Sequence, residues 1–272
     1  MLGKLIKHEI KATSRVIPFL YLAIAALGLA SYIGLKFNSE GFGAVTCIFM
    51  ILGSVAVYIA TLALIAVRFY KSMFSNEGYL TMTLPVGTGR ILFTKSLVSF
   101  LWILASLVVM AGSFAAAFFM FADHQNAMDE FFQMIGNIPS GWLMVIAFFT
   151  VMLLIGSLYF VSMMTFSVTL GNTGMFNKMG AGACVLVFII VYFCTDIVEQ
   201  IFTVIIPLSI VVGDNGIYFS TENMVGYLFQ SINSSAVTSV PIGAGGILFE
   251  IIAIVGMFAA SNYLLKRKVC LK

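Results

Sequence analysis

The sequence predicts an all-α integral membrane protein with six transmembrane helices, an N-terminal amphipathic interfacial helix and a re-entrant segment between spans five and six. Of its 272 residues 61% are hydrophobic and only 9% are charged, whereas soluble domains are about 45–50% apolar and about 25% charged. Long apolar segments recur, and the basic residues fall on one side of them. We therefore expect a single transmembrane domain over residues 1–272, with the interfacial helix at 1–15, a six-helix bundle at 16–265 and a basic tail at 266–272.

Segment length identifies the spans, because about 20 apolar residues in a helix cross a hydrocarbon core of roughly 30 Å. The predicted spans are 16–36, 42–67, 91–121, 142–170, 179–195 and 242–265. The region 179–212 would be roughly 50 Å long as one helix, too long for a single span. We therefore expect Asp196–Gln200 to reach the outer surface and 201–212, interrupted by Pro207, to dip back without crossing.

The charged residues are distributed asymmetrically about these spans. With the N-terminus inside, the cytoplasmic side holds Lys4, Lys7, Lys11, Arg15, Arg68, Lys71, Arg90, Lys95, Lys178, Lys266, Arg267, Lys268 and Lys272. Only Lys36 lies outside, and the outer loops hold Glu40, Asp123, Asp129, Glu130, Asp196, Glu199, Asp214 and Glu222. This positive-inside distribution predicts that both termini are cytoplasmic.

Residues 1–15 have the pattern of an amphipathic helix on the cytoplasmic leaflet. The apolar side chains Leu2, Leu5, Ile6 and Ile10 recur at helical spacing, with basic residues around them. A zinc-binding helix needs HExxH, and Lys7-His8-Glu9 has no second histidine in register. We therefore expect Lys7-His8-Glu9 to form a solvated face.

No catalytic motif is found. The nucleotide-binding loop GxxxxGK[ST], the zinc-protease motif HExxH and the serine elbow GxSxG are all absent from the sequence. We expect no enzymatic activity, no bound metal or cofactor and no nucleic-acid partner. Glu250 is the one acidic residue within a predicted span. Such a carboxylate is a candidate for a substrate path or an ion-coupling site, and a structural, hydrogen-bonded role stays equally open.

The segment that joins spans two and three, residues 68–87, is the most informative cytoplasmic part of the chain. Its aromatic and apolar side chains are Phe69, Tyr70, Phe74, Tyr79, Leu80 and Leu84. Ser75 or Asn76 is suited to cap a short helix that starts near Glu77 and ends at Pro85. A short helix with aromatic anchors is typical of docking to a soluble subunit, and a helix that rests on the membrane surface is the alternative.

The stretch NEGYLTMTLP, residues 76–85, resembles the loop between spans two and three of small bacterial permeases of the ATP-binding-cassette type-2 exporter class. The amphipathic start, the six spans, the broken fifth segment and the basic C-terminus extend the resemblance over the whole chain. In that family the loop carries a coupling helix that sits in a cleft of a separate ATPase subunit. The contact positions so implied are Phe74, Ser75, Asn76, Glu77, Tyr79, Leu80, Thr81 and Leu84.

The resemblance implies the transmembrane subunit of an exporter in the bacterial plasma membrane. Its partners would be a cytoplasmic ATP-binding subunit, which would hold ATP and Mg²⁺, and a second permease subunit, identical or similar. The cargo would be hydrophobic or amphipathic, such as a peptide antibiotic, a drug or a lipid. Two alternatives stay open: an ion-coupled secondary transporter that uses Glu250, and a membrane immunity or sensor protein that does not pump.

Overall fold

The computed structural model describes residues 2–37, 40–74, 78, 87–121, 140–173, 180–207, 209–213, 216–220, 226 and 239–267. Within these ranges the helices are α1 Leu2–Thr13, α2 Ile17–Lys36, α3 Glu40–Phe74, α4 Thr88–Phe121, α5 Ser140–Gly171, α6 Ala181–Ile205 and α7 Ala244–Arg267. The strands are β1 Ser209–Gly213, β2 Gly216–Ser220 and β3 Ser239–Gly243. Helices α2–α7 are all long and apolar enough to cross a membrane. The predicted six spans of a multi-pass membrane protein are thereby confirmed.

Helices α3 and α4 are longer than the spans predicted for them. They contain 35 and 34 residues, or about 50 Å each at ~1.5 Å per residue. Oriented along the membrane normal, each helix would exceed the hydrocarbon core, which is roughly 30 Å thick, by about 20 Å. Arg68 and Lys71, which the predicted span 42–67 left in a loop, belong to the end of α3.

The chain divides into two compact units with the boundary between Ile135 and Gly136. The first unit contains α1–α4. Its apolar core lies between α2, α3 and α4 and is formed by Ile24, Cys47, Met50 and Ala117. The α2 and α3 backbones approach closely, because a Cβ at Gly34 would lie 3.0 Å from the Cα of Gly43. Ser31 donates a hydrogen bond to the carbonyl oxygen of Gly43 (2.9 Å) at the same contact.

The second unit contains α5–α7 and the sheet, and α5 packs against both α6 and α7. The buried face of α5 carries hydroxyl groups, at Ser162, Thr165, Ser167 and Thr169. Each hydroxyl donates to a carbonyl oxygen three or four residues earlier in the same helix. Their hydrogen-bonding requirement is thus met inside α5.

The predicted re-entrant segment is not confirmed. Helix α6 continues through Asp196 and Glu199 as far as Ile205. It ends there because a residue before proline disfavours the helical conformation, and Ile206 is extended (φ −74°, ψ 118°) ahead of Pro207. The next residues are β-branched, Ile-Val-Val within β1, and form a strand instead of a dipping helix.

Strand β1 lies at the centre of an antiparallel sheet of order β2-β1-β3. Ser209 pairs with Ser220 of β2 on one side and with Gly243 of β3 on the other. The sheet contacts α5 through β2 and α7 through β1. This sheet is a departure from the predicted all-α class.

Candidate functional site

A network of charged side chains joins α1 to the two helices that flank residues 75–87. Glu9 of α1 accepts from Arg68 of α3 (Nε to Oε1, 3.3 Å) and from Lys95 of α4 (Nζ to Oε2, 3.2 Å). Lys95 also donates to the hydroxyl oxygen of Ser72 on α3 at 2.8 Å. Arg68 donates through Nη1 to the carbonyl oxygen of Ala12 at 3.0 Å. The network therefore ties the ends of three helices together.

The network of Glu9, Arg68, Lys95 and Ser72, called the clamp below, is shielded from solvent. The exposed fraction of the side chain is 7% for Lys95, 17% for Glu9 and 33% for Arg68. The cavity beside the network is about 10 Å³, room for no more than one water molecule. Removing one partner of a buried ion pair costs about 3–5 kcal/mol, because the other charge stays desolvated. The clamp thus holds α1 against α3 and α4.

Sequence reasoning missed the clamp. Lys7 and His8 are exposed as predicted, but the prediction that Glu9 is solvated is wrong. Leu5, Glu9 and the buried Thr13 recur every four residues and face the rest of the unit. A signal was present in the sequence: Lys95 falls inside an apolar segment and needs a counter-charge, and Glu9 is the one acidic residue among residues 1–15.

The predicted ATPase contacts mostly lie outside the described residues, which end at Phe74 and resume, apart from Gly78, at Gly87. This is true of Ser75, Asn76, Glu77, Tyr79, Leu80, Thr81 and Leu84. Phe74 is described, and it is 6% exposed, with its ring centroid 6.5 Å from that of Tyr70. A ring covered to this degree packs the end of α3, and its contact with an ATPase stays a prediction.

A second polar site lies in the other unit, around Glu250 of α7. Glu199 of α6 approaches the face of α7 that carries Gly246 and Glu250, which are one helical turn apart. The helices approach closely because Gly246 has no side chain: a Cβ there would lie 2.7 Å from Oγ1 of Thr203 and 3.7 Å from Oε1 of Glu199. Glu250 Oε2 is buried and has no hydrogen-bond partner among the described residues.

The continuous α6 changes the interpretation of Glu250. The prediction treated Glu250 as the one carboxylate within a span, whereas the structure adds Glu199 at the same helix interface. Neighbouring carboxylates between transmembrane helices are suited to bind a proton or to form structural hydrogen bonds. Among the described residues no group of three or more His, Cys, Asp or Glu side chains is placed to hold a metal ion.

Comparisons with known proteins do not place the chain in a family. No family model, curated protein or solved structure matches it.

Proposed function

We propose that this chain is the transmembrane subunit of an ATP-driven exporter of the type-2 class, working with a separate ATP-binding subunit and a second permease subunit. The observation that supports the proposal best is the position of the clamp. Phe74 and Thr88 bound the loop. Ser72 lies two residues before Phe74, Lys95 lies seven residues after Thr88, and the two side chains are joined by a hydrogen bond. Glu9 of α1 forms an ion pair with Lys95 and so connects α1 to α3 and α4.

The clamp lies beside the loop, where it is suited to transmit force from the loop to the helices. Closure of an ATPase around ATP and Mg²⁺ would press on residues 75–84 between α3 and α4. Because both helices are tied beside the loop, a push there displaces α1, α3 and α4 together instead of bending the loop alone. Two arrangements of the helices, with different contacts in each, would give alternating access to a hydrophobic or amphipathic cargo.

The proposal places the loop and both termini in the cytoplasm of a bacterial cell. The exposed side chains of α1 include Lys4, Lys7 and Lys11. Basic side chains of this kind favour the anionic inner leaflet, so α1 would lie along that surface while Glu9 attaches it to the bundle.

Co-purification of a cytoplasmic ATPase with the full chain tests the proposal. Replacing Glu77 and Tyr79 together with alanine should leave the six spans folded and weaken the ATPase complex by roughly thirtyfold, the effect of losing buried interface anchors. The matched control replaces Tyr32 and Glu40, at the other end of the α2–α3 hairpin, and should bind normally. A wild-type complex and wild-type transport in the Glu77/Tyr79 variant would show that the coupling assignment is wrong.

The Glu199–Glu250 pair favours a second candidate, an ion-coupled secondary transporter. In that case no ATPase would co-purify, and transport would depend on an ion gradient and on Glu250. The two candidates are therefore separated by the same purification.

A further inference from the structure

A pocket of about 200 Å³ opens beside the clamp, between the α1–α2 junction and the last turns of α3. Val16 and Ile17 line it on one side, and Leu64 and Val67 line it on the other, with Arg68 and Lys71 beyond them. Pockets for drug-sized ligands usually measure about 300–1,000 Å³. This one is too small for such a cargo, and its size suits a compact polar group.

We propose that this pocket binds the phosphate headgroup of an anionic phospholipid from the leaflet on the loop side of the membrane. The order of the lining residues along α3 supports this ligand. Leu64, Val67 and Lys71 lie on one helix face and cover about 10 Å along the axis. The apolar pair is nearer the span interior and the cation is nearer the helix end. A phospholipid has the same order, with acyl chains inward and a phosphate outward.

The charge of the pocket favours a phosphate. Arg68, Lys71 and Lys95 are cations within this part of the unit, and Glu9 is the carboxylate that compensates one of them. Lys71 is exposed and makes no ion pair within the described part of the chain. Basic pockets between transmembrane helices on the cytoplasmic side are typical sites for anionic headgroups.

The Arg68 guanidinium is held in position before any ligand arrives. Its Nε donates to Glu9 and its Nη1 donates to the carbonyl oxygen of Ala12. A guanidinium has five N–H donors in a planar fork, so donors remain after these two contacts. A preordered cation loses little side-chain freedom on binding, which favours a specific phosphate contact over a loose ionic attraction.

The test uses the full chain in detergent, titrated with phosphatidylglycerol or phosphatidylcholine of identical acyl chains, with bound lipid counted by native mass spectrometry. We expect phosphatidylglycerol to be retained preferentially. Lys71→Gln should lower its affinity about fivefold, the effect of one cation at a membrane surface. Lys36→Gln removes an exposed cation at the far end of α2, which does not line the pocket, and should change nothing.

A size variant separates the pocket from general surface attraction. Val67→Trp fills the apolar wall without changing the charge and should lower phosphatidylglycerol retention. Val108→Trp, at a valine that is 70% exposed on α4, is the control and should retain the lipid. Equal retention of the two lipids, or no effect of Lys71→Gln or Val67→Trp, would overturn the proposal. Competition by millimolar inorganic phosphate would do so as well, because it would identify a site for free anions.

Discussion

Replacing Glu9 with glutamine removes the one negative charge between Arg68 and Lys95. Lys95 keeps its hydrogen bond to Ser72, but its ammonium group, whose side chain is 7% exposed, loses a carboxylate 3.2 Å away. Loss of one partner from a buried pair costs about 3–5 kcal/mol. Because Glu9 is 17% exposed and water reaches it, we expect the lower value, about 3 kcal/mol.

This cost acts on the attachment of α1 to α3 and α4 and leaves the spans themselves intact. Every 1.4 kcal/mol changes an equilibrium constant tenfold, so about 3 kcal/mol shifts the detachment equilibrium of α1 by roughly 100-fold. Amide hydrogen exchange in residues 4–13 measures that equilibrium directly. We expect exchange in α1 to be faster by about that factor, with exchange in the core of α2 unchanged.

Two comparison variants identify the cause. Lys7→Gln removes an exposed charge from the same helix and should exchange like the wild type. Glu9→Gln combined with Lys95→Met leaves no unpaired ammonium group in the site, and well-packed apolar replacements of buried charges are often neutral. The double variant should therefore return to within about fivefold of the wild-type exchange rate. Wild-type exchange in Glu9→Gln, or equally fast exchange in the single and double variants, would refute the reasoning.

Three further predictions concern the helix interfaces and the topology. Glu250→Gln should leave the amount of folded protein and transport unchanged if the carboxylate is structural, because Oε2 makes no hydrogen bond among the described residues that the amide would lose; lost transport in a folded Gln variant would reveal a coupling role. Gly246→Leu overfills the α6–α7 contact and should lower the free energy of unfolding by about 1–3 kcal/mol. Gly256→Leu is the control and should not lower it, because a Cβ at Gly256 meets nothing within 4 Å. Equal melting temperatures of the two variants would contradict the close approach of α6 and α7. A cysteine introduced at Asp129 should react with an impermeant maleimide on intact cells and one at Lys268 should not; external labelling at 268 would contradict a cytoplasmic C-terminus.

The spans could be predicted from the sequence because they depend on a local property, the number of consecutive apolar residues. The predicted 16–36 and 142–170 agree with α2 and α5 to within two residues at either end. The predicted span 42–67 stops before Arg68 and Lys71, whereas α3 continues through both residues to Phe74. A helix that projects beyond the hydrocarbon core tolerates such charges, and apolar length alone does not show where it stops.

The sheet and the clamp could not be predicted in the same way, because each joins residues far apart in the chain. Ser209 pairs with Gly243 across 34 positions, and Glu9 meets Lys95 across 86. The charge distribution and Pro207 predict a single re-entrant structure for 201–212, yet this segment contains the end of α6 and most of β1. Five-residue strands have too little periodicity to separate from a helix by pattern alone.

The hydroxyl groups on the buried face of α5 have a consequence for motion. Thr165, Ser167 and Thr169 donate within their own helix, and Ser261 of α7 likewise donates to the carbonyl oxygen of Met257. Hydrogen bonds of this kind do not connect one helix to its neighbour. Sliding α5 along α7 would therefore break none of these four bonds; it would disturb the side-chain packing and the contact from Ser162 Oγ of α5 to Met257 Sδ of α7 (3.9 Å). Shear between packed helices proceeds by small steps of that sort, and hydroxyl groups that are bonded within their own helix leave this motion possible.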